Sequence, residues 1–211
     1  MRKIFITATN TDIGKTYTTC KLMSAYSKLG YRVGVIKPIE TGVIGIPLDG
    51  EKLLLHVKSV NSEFDSLHVK DIVPIQFRLP AAPFIASGGQ KIDISIIKDA
   101  MDKLEKYCDI LLIEGAGGLM VPIDSETMMY ELIEKLECNA TLLVSHCVLG
   151  CISDTLVNRA FLESKDITYT WALNCKKEDN FKTISKPYFE TTCKDYYIVD
   201  RDIDKIALDL L

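Results

Sequence analysis

Thr9-Asn10-Thr11-Asp12-Ile13-Gly14-Lys15-Thr16 decides how this chain is read. The stretch follows an apolar run, Ile4-Phe5-Ile6, and opens an amphipathic run that continues to Leu29. Strand, tight turn and helix N-terminus, in that order, are the setting of a phosphate-binding loop. Backbone N–H groups at a helix start point outward, and the helix dipole favours an anion there. Lys15 adds a point charge at the outer phosphates, and the Thr16 hydroxyl is placed to bind Mg2+. Gly-Lys followed by Ser or Thr is alone a weak signal, expected by chance in roughly one chain in ten of this length. Its position after the first strand of an alternating pattern gives it weight. The usual loop begins with Gly five residues before Gly14, where this chain has Thr9. A plain helix start, with Thr11 or Asp12 as N-cap, explains the turn but not the triplet.

Short apolar runs alternate with longer amphipathic ones along the rest of the chain. The runs predict strands over Ile4–Ala8, Val33–Ile36, Ile72–Phe77, Ile110–Ile113, Thr141–Val144, Tyr169–Leu173 and Tyr197–Val199. Helices are predicted over Thr16–Leu29, Gly50–Ser59, Ile94–Tyr107, Met128–Leu136, Ser153–Ser164 and Ile203–Leu210. Continuous runs such as Ile110-Leu111-Leu112-Ile113 suit strands buried on both faces. Strand–helix alternation implies an α/β fold: a doubly wound, mostly parallel sheet with right-handed crossovers. Without repeats or a Pro/Gly/Ser linker, residues 1–211 read as a single P-loop NTPase-like α/β domain.

Ligands of such sheets bind beyond the C-terminal ends of the strands. There the second strand ends in Lys37-Pro38-Ile39-Glu40-Thr41-Gly42. A lone lysine is usually solvated. Beside a phosphate loop, Lys37 instead supplies the positive charge that phosphoryl transfer needs around the moving group. A later strand ends in Glu114-Gly115-Ala116-Gly117-Gly118. An acid placed directly after a buried strand and next to the loop is a Mg2+-binding arrangement. Asp109, at the other end of that strand, should be irrelevant. Ser145-His146-Cys147-Val148-Leu149-Gly150-Cys151-Ile152-Ser153 joins a strand to a helix, whose N-terminus could hold a carboxylate. Asp49 precedes a predicted helix and reads first as its N-cap. It reaches the phosphates only if the loop after Lys37 folds back over them.

Composition narrows the classes. Apolar content of 47% and charged content of 26% are ordinary for a globular protein. A net charge of −4 argues against a nucleic-acid partner. No apolar run approaches the ~20 residues of a membrane span. Met1-Arg2-Lys3-Ile4 leads straight into a strand rather than a leader, so the expected location is cytoplasmic. The seven cysteines include no Cys-x-x-Cys, and most of them read as small buried hydrophobes in a reducing compartment.

The four strand-end blocks, Thr7 to Thr16, Lys37 to Gly42, Glu114 to Gly118 and Leu149 to Ile152, resemble dethiobiotin synthetase in order and separation. The likeness runs from residue 1 to about Asn174. It implies an ATP- and Mg2+-dependent homodimeric enzyme that makes dethiobiotin from 7,8-diaminononanoate and CO2, through a carbamate and a carbamic-phosphoric anhydride. By that resemblance Lys37, Lys15 and Thr11 are catalytic. Thr16, Asp49 and Glu114 hold Mg2+. Asp12, Ile13, Gly14, Lys15, Thr16, Tyr17, Asp49, Glu114, Gly115, Ala116, Gly117 and Asn174 bind nucleotide. Thr41, Gly118, Leu149, Gly150, Cys151, Ile152 and Ser153 bind the diamine, the last four across the dimer interface. Tyr196-Tyr197-Ile198-Val199-Asp200-Arg201 does not resemble the family's base-reading Gly-x-x-Pro stretch. The competing expectation is a regulatory ATPase of the partition or cell-division-positioning class. Such ATPases share Gly14-Lys15-Thr16, but they carry a further lysine early in the loop, where this chain has Thr9, Asn10 and Thr11.

Overall fold

The computed structural model describes residues 1–175, 178–193 and 195–211. In chain order the elements are β1 (Arg2–Ala8), α1 (Lys15–Lys28), β2 (Val33–Ile36), β3 (Ile39–Thr41), α2 (Leu48–Val60), α3 (Val69–Ile72), β4 (Ile75–Phe77), α4 (Pro83–Ala86), α5 (Ser95–Glu105), β5 (Ile110–Glu114), α6 (Leu132–Lys135), β6 (Ala140–His146), α7 (Cys151–Ser164), β7 (Thr170–Asn174), α8 (Glu178–Ile184), α9 (Lys186–Thr192), β8 (Tyr197–Ile198) and α10 (Val199–Asp209). Six strands form one sheet in the order β2-β5-β1-β6-β7-β8, and every pairing in it is parallel. The doubly wound parallel sheet expected from the alternation is therefore present.

Side-chain alternation explains how the sheet is covered. Successive strand residues face opposite sides. Leu142, Val144 and Ala172 join one apolar cluster, together with Leu22 and Met23 of α1 and Ile206 of α10. Leu143, Trp171 and Leu173 join a second cluster with Leu162 of α7, Phe181 and Phe189. Both faces of β6 and β7 are thus buried, which is why these strands read as unbroken apolar runs. β1 lies at the centre, between β5 and β6, so the loop after it opens at the middle of the sheet's C-terminal edge.

Several boundaries differ from the sequence expectation. The run Ile72–Phe77 is not one strand. Ile72 ends α3, and Pro74, which has no N–H to donate, delays the strand to Ile75. β4 then pairs with β3 in a separate two-stranded parallel sheet. Met128–Leu136 is a 3-10 turn at Met129–Glu131 followed by the short α6. α2 starts at Leu48, which places Asp49 inside the first turn rather than ahead of it. α7 starts at Cys151, two residues early, and α10 at Val199. Asp109 pairs with Arg32 at 2.6 Å, away from the loop edge, as expected.

The cysteine expectation holds for Cys108 and Cys151, which are buried thiols. It fails for Cys147 and Cys175, which form a disulfide. Sheet register is the cause. His146 is opposite Asn174, so the next residue of each strand comes within reach of the other, with Cα atoms 5.0 Å apart.

Candidate active site

β1 delivers the chain into the loop, and Gly14 turns it into α1. Gly14 has φ 104°, the left-handed region that an L side chain avoids. Its α-carbon also faces Asn174, whose Nδ2 would lie 1.9 Å from any added Cβ. That amide donates to the Ile13 carbonyl at 2.7 Å, so the end of β7 is tied to the loop backbone. Lys15 follows Gly14, and its ammonium donates to the Asn10 carbonyl at 3.1 Å. Burial, and next the neighbouring Lys37 charge, lower the Lys15 pKa to about 8.

Lys37 leaves the end of β2 as a buried ammonium and donates to Glu114 Oε1 at 2.8 Å. It also sits 3.5 Å from Asp49 Oδ2. Burial opposes its charge, but Glu114 and then Asp49 outweigh that and hold its pKa above the ordinary lysine value. Glu114, the last residue of β5, is fully buried. A carboxylate there must be paired. Oε1 also accepts from the Thr16 hydroxyl at 2.8 Å, and Oε2 accepts from Thr19 at 2.8 Å. Burial raises the pKa of a third acid, Glu40, against the hydrogen bonds it accepts from the Gly50 and Asp49 backbone.

Lys15, Thr16, Lys37, Glu40 and Asp49 edge a cleft of about 770 Å³. Of the residues expected from sequence, Thr11, Asp12, Gly14, Lys15, Thr16, Lys37, Thr41, Asp49, Ala116 and Gly117 line it. Sequence reasoning missed Glu40, Val121 and the four residues Pro80-Ala81-Ala82-Pro83, which also line it. Two prolines bracketing two alanines mark a stiff loop, and that was the available signal.

Other expected residues lie elsewhere. Tyr17 lines a neighbouring groove between α1 and α2, and its hydroxyl donates to Asp200, which also pairs with Lys21 at 2.8 Å. Leu149, Gly150, Ile152 and Ser153 line a separate apolar groove of about 590 Å³ with Val157 and Ile184. Cys151 is buried, with its thiol donating to Ser185 at 3.2 Å. Ile13, Glu114, Gly115 and Gly118 are not among the residues that line the cleft, and Glu114 meets it through its contacts to Thr16 and Lys37.

The donor set suits a hard divalent ion. The Asp49 and Glu114 carboxylates converge on the Lys37 ammonium, and the Thr16 hydroxyl joins them through Glu114 Oε1. Mg2+ takes one or two carboxylates, with water and phosphate oxygens completing its octahedron. Among the described residues no cluster of three or more His, Cys, Asp or Glu could hold a metal by itself. No helix among them is long and apolar enough to cross a membrane.

A family model described as an AAA domain matches residues 2–194. The chain is 41% identical over its full length to the full-length ATP-dependent dethiobiotin synthetase BioD of Sulfurovum sp. (strain NBC37-1). It is 34% identical to the protein of that name from Wolinella succinogenes, over 100% of this chain and 99% of the other. Among solved structures, the MinC:MinD cell division protein complex of Aquifex aeolicus superposes with a TM-score of 0.55 at 19% identity, covering 100% of this chain and 86% of that one. A plasmid partition protein from Borrelia burgdorferi gives 0.55 at 12% identity, over 99% and 95%. At such identities the last two share the fold alone. The chain belongs to the dethiobiotin synthetase family.

Proposed function

We propose that this chain carboxylates 7,8-diaminononanoate with CO2 and closes the ureido ring at the expense of ATP, releasing dethiobiotin, ADP and phosphate. Residues 1–211 work as one P-loop NTPase-like unit. One amine attacks the carbon of CO2 and loses a proton, giving a carbamate. A carbamate oxygen attacks the γ-phosphorus, and ADP leaves. The second amine attacks the carbonyl carbon of the resulting anhydride, the ring closes and phosphate departs.

The residues act through charge and position. Lys37 approaches from the acceptor side and stabilises carbamate and moving phosphoryl group; Lys15 bridges carbamate and γ-phosphate. Thr11 and Thr41 hold the diamine near the γ-phosphate, with the Gly118 backbone beside them. In this reading Asp12 to Tyr17 and Gly115 to Gly117 wrap the nucleotide, and Asn174 contributes to binding it. Thr16, Asp49 and Glu114 would hold Mg2+, whose charge offsets that of the phosphates. Leu149 to Ser153 receive the diamine carboxylate of the site on the other subunit of a homodimer, using the N-terminus of α7. The proposed setting is the cytoplasm, with no nucleic-acid or membrane partner.

One observation carries this reading: Lys37, Thr16 and Glu114 meet within 2.8 Å contacts at the foot of the phosphate loop. The test is mass spectrometry of a mixture of protein, diamine, bicarbonate, Mg2+ and ATP. Dethiobiotin and ADP should form in equal amounts. ATP hydrolysis without the ureido product would overturn the proposal.

A further inference from the structure

Glu40 has no role in the reaction just described, yet it is a buried carboxylate in the wall of the cleft. β3 turns Ile39 into the core and Glu40 toward the start of α2. There its two oxygens take separate backbone donors. Oε1 accepts from the Asp49 N–H at 3.0 Å, and Oε2 accepts from the Gly50 N–H at 2.8 Å. Helix starts leave these N–H groups unpaired, and the N-cap of α2, Pro47, offers no side-chain hydrogen bond. A carboxylate is the strong partner for them, by hydrogen bond and by dipole. Gly50 permits the approach, since a Cβ there would lie 3.3 Å from Glu40 Oε2 and 2.2 Å from a Val73 methyl.

The clamp sits on the residue whose side chain enters the cleft. With its N–H held by Glu40, Asp49 extends its carboxylate to 3.5 Å from the Lys37 ammonium. We infer that Glu40 is a positioning residue that fixes the Asp49 carboxylate beside Lys37 and Glu114 by holding the first turn of α2. This rests on the reading of Asp49 as a metal ligand. Mg2+ tolerates little departure from octahedral geometry, so a shift of the α2 start moves a ligand out of place.

The experiment measures Mn2+ affinity by electron paramagnetic resonance in the presence of ADP, for the full chain and for Glu40→Ala, Glu40→Gln, Asp49→Asn and the double variant Glu40→Ala/Asp49→Asn. Loss of a group that orients a metal ligand costs about tenfold or more in affinity. Glu40→Ala should therefore weaken Mn2+ about tenfold. Glu40→Gln keeps one acceptor oxygen and should fall between it and the unsubstituted protein. The double variant should be no weaker than Asp49→Asn, because Glu40 acts through Asp49. ADP affinity without metal should be the same in Glu40→Ala and Glu40→Gln as in the unsubstituted protein, and their Mg2+ requirement for turnover should rise more than kcat falls. Unchanged Mn2+ affinity in Glu40→Ala, or losses that add in the double variant, would overturn the inference. Unchanged affinity in Asp49→Asn would instead remove Asp49 from the metal site. Should the alanine variant fail to fold, as judged by circular dichroism, Glu40→Gln carries the same comparison.

Discussion

Two lysines of the same chemistry are held in opposite electrostatic conditions. Lys37 sits 2.8 Å from a fully buried carboxylate, and each group justifies the other's burial. Removing one partner of such a pair leaves an uncompensated charge at a cost of about 3–5 kcal/mol. Lys37→Ala should therefore abolish dethiobiotin formation and lower Tm, while ADP binding stays measurable. Adding Mg2+ with ADP should recover more Tm in this variant than in the unsubstituted protein, because a cation beside Glu114 replaces the lost one. A calorimetric scan with and without Mg2+ checks this, and equal recovery would argue against Glu114 as a ligand. Among the described residues Lys15 has no such close acid, and burial brings it to about 8 from 10.5. The sign follows from linkage. The folded chain holds this proton less tightly than the unfolded chain, so Lys15 adds stability as pH rises from about 8 toward 10.5. Nucleotide binding runs the other way, since a triphosphate favours the ammonium. ADP and ATP affinity should fall above pH 8, with net proton uptake on binding. That range lies clear of the phosphate's own titration near pH ~6. Titration calorimetry in buffers of different ionisation enthalpy measures the uptake, and proton release would contradict the assignment.

At the scale of elements, legibility followed the range of the interaction that defines each one. β1, β2 and β5 were readable because strands buried on both faces are unbroken apolar runs, and each stops at a residue that breaks the run: Thr9, Lys37 and Glu114. The P-loop was readable because Gly14-Lys15-Thr16 is local chemistry on contiguous residues. The start of α2 was not. Its N–H groups are paired by Glu40, nine residues upstream, so no capping residue sits where a sequence pattern would look for one. The same holds for β3 and β4. Three residues each, they exist as strands through one another, and Pro74 cut the apolar run that seemed to belong to the main sheet. The Cys147–Cys175 pairing depends on the register of β6 against β7, which the spacing of the two cysteines does not reveal. Pro80 to Pro83 reach the cleft where a loop leads into α4; their two prolines signal stiffness but not a phosphate site.

At the scale of the whole molecule, one chain supplies the cleft while the groove expected to take the substrate carboxylate lies apart from it. Val148, Leu149, Val157 and Ile184 leave that groove's surroundings strongly apolar and exposed, with Leu149 at 82%. In a two-fold dimer the same patch is used twice, so each site would combine Lys37 of one chain with the α7 start of the other. This predicts complementation between inactive variants. Lys37→Ala disables the cleft. Ser153→Glu puts a carboxylate in the first turn of α7, where the helix dipole tolerates it but an anionic substrate is repelled. Each variant alone should be inactive. Denatured together in equal amounts and refolded, half the dimers would be mixed, and each mixed dimer would hold one doubly defective site and one intact site. About a quarter of the original activity should then return. If the α7 start served the cleft of its own chain, both sites of the mixed dimer would carry one defect and no activity would return. The rate of the refolded mixture therefore separates a shared site from a self-contained one.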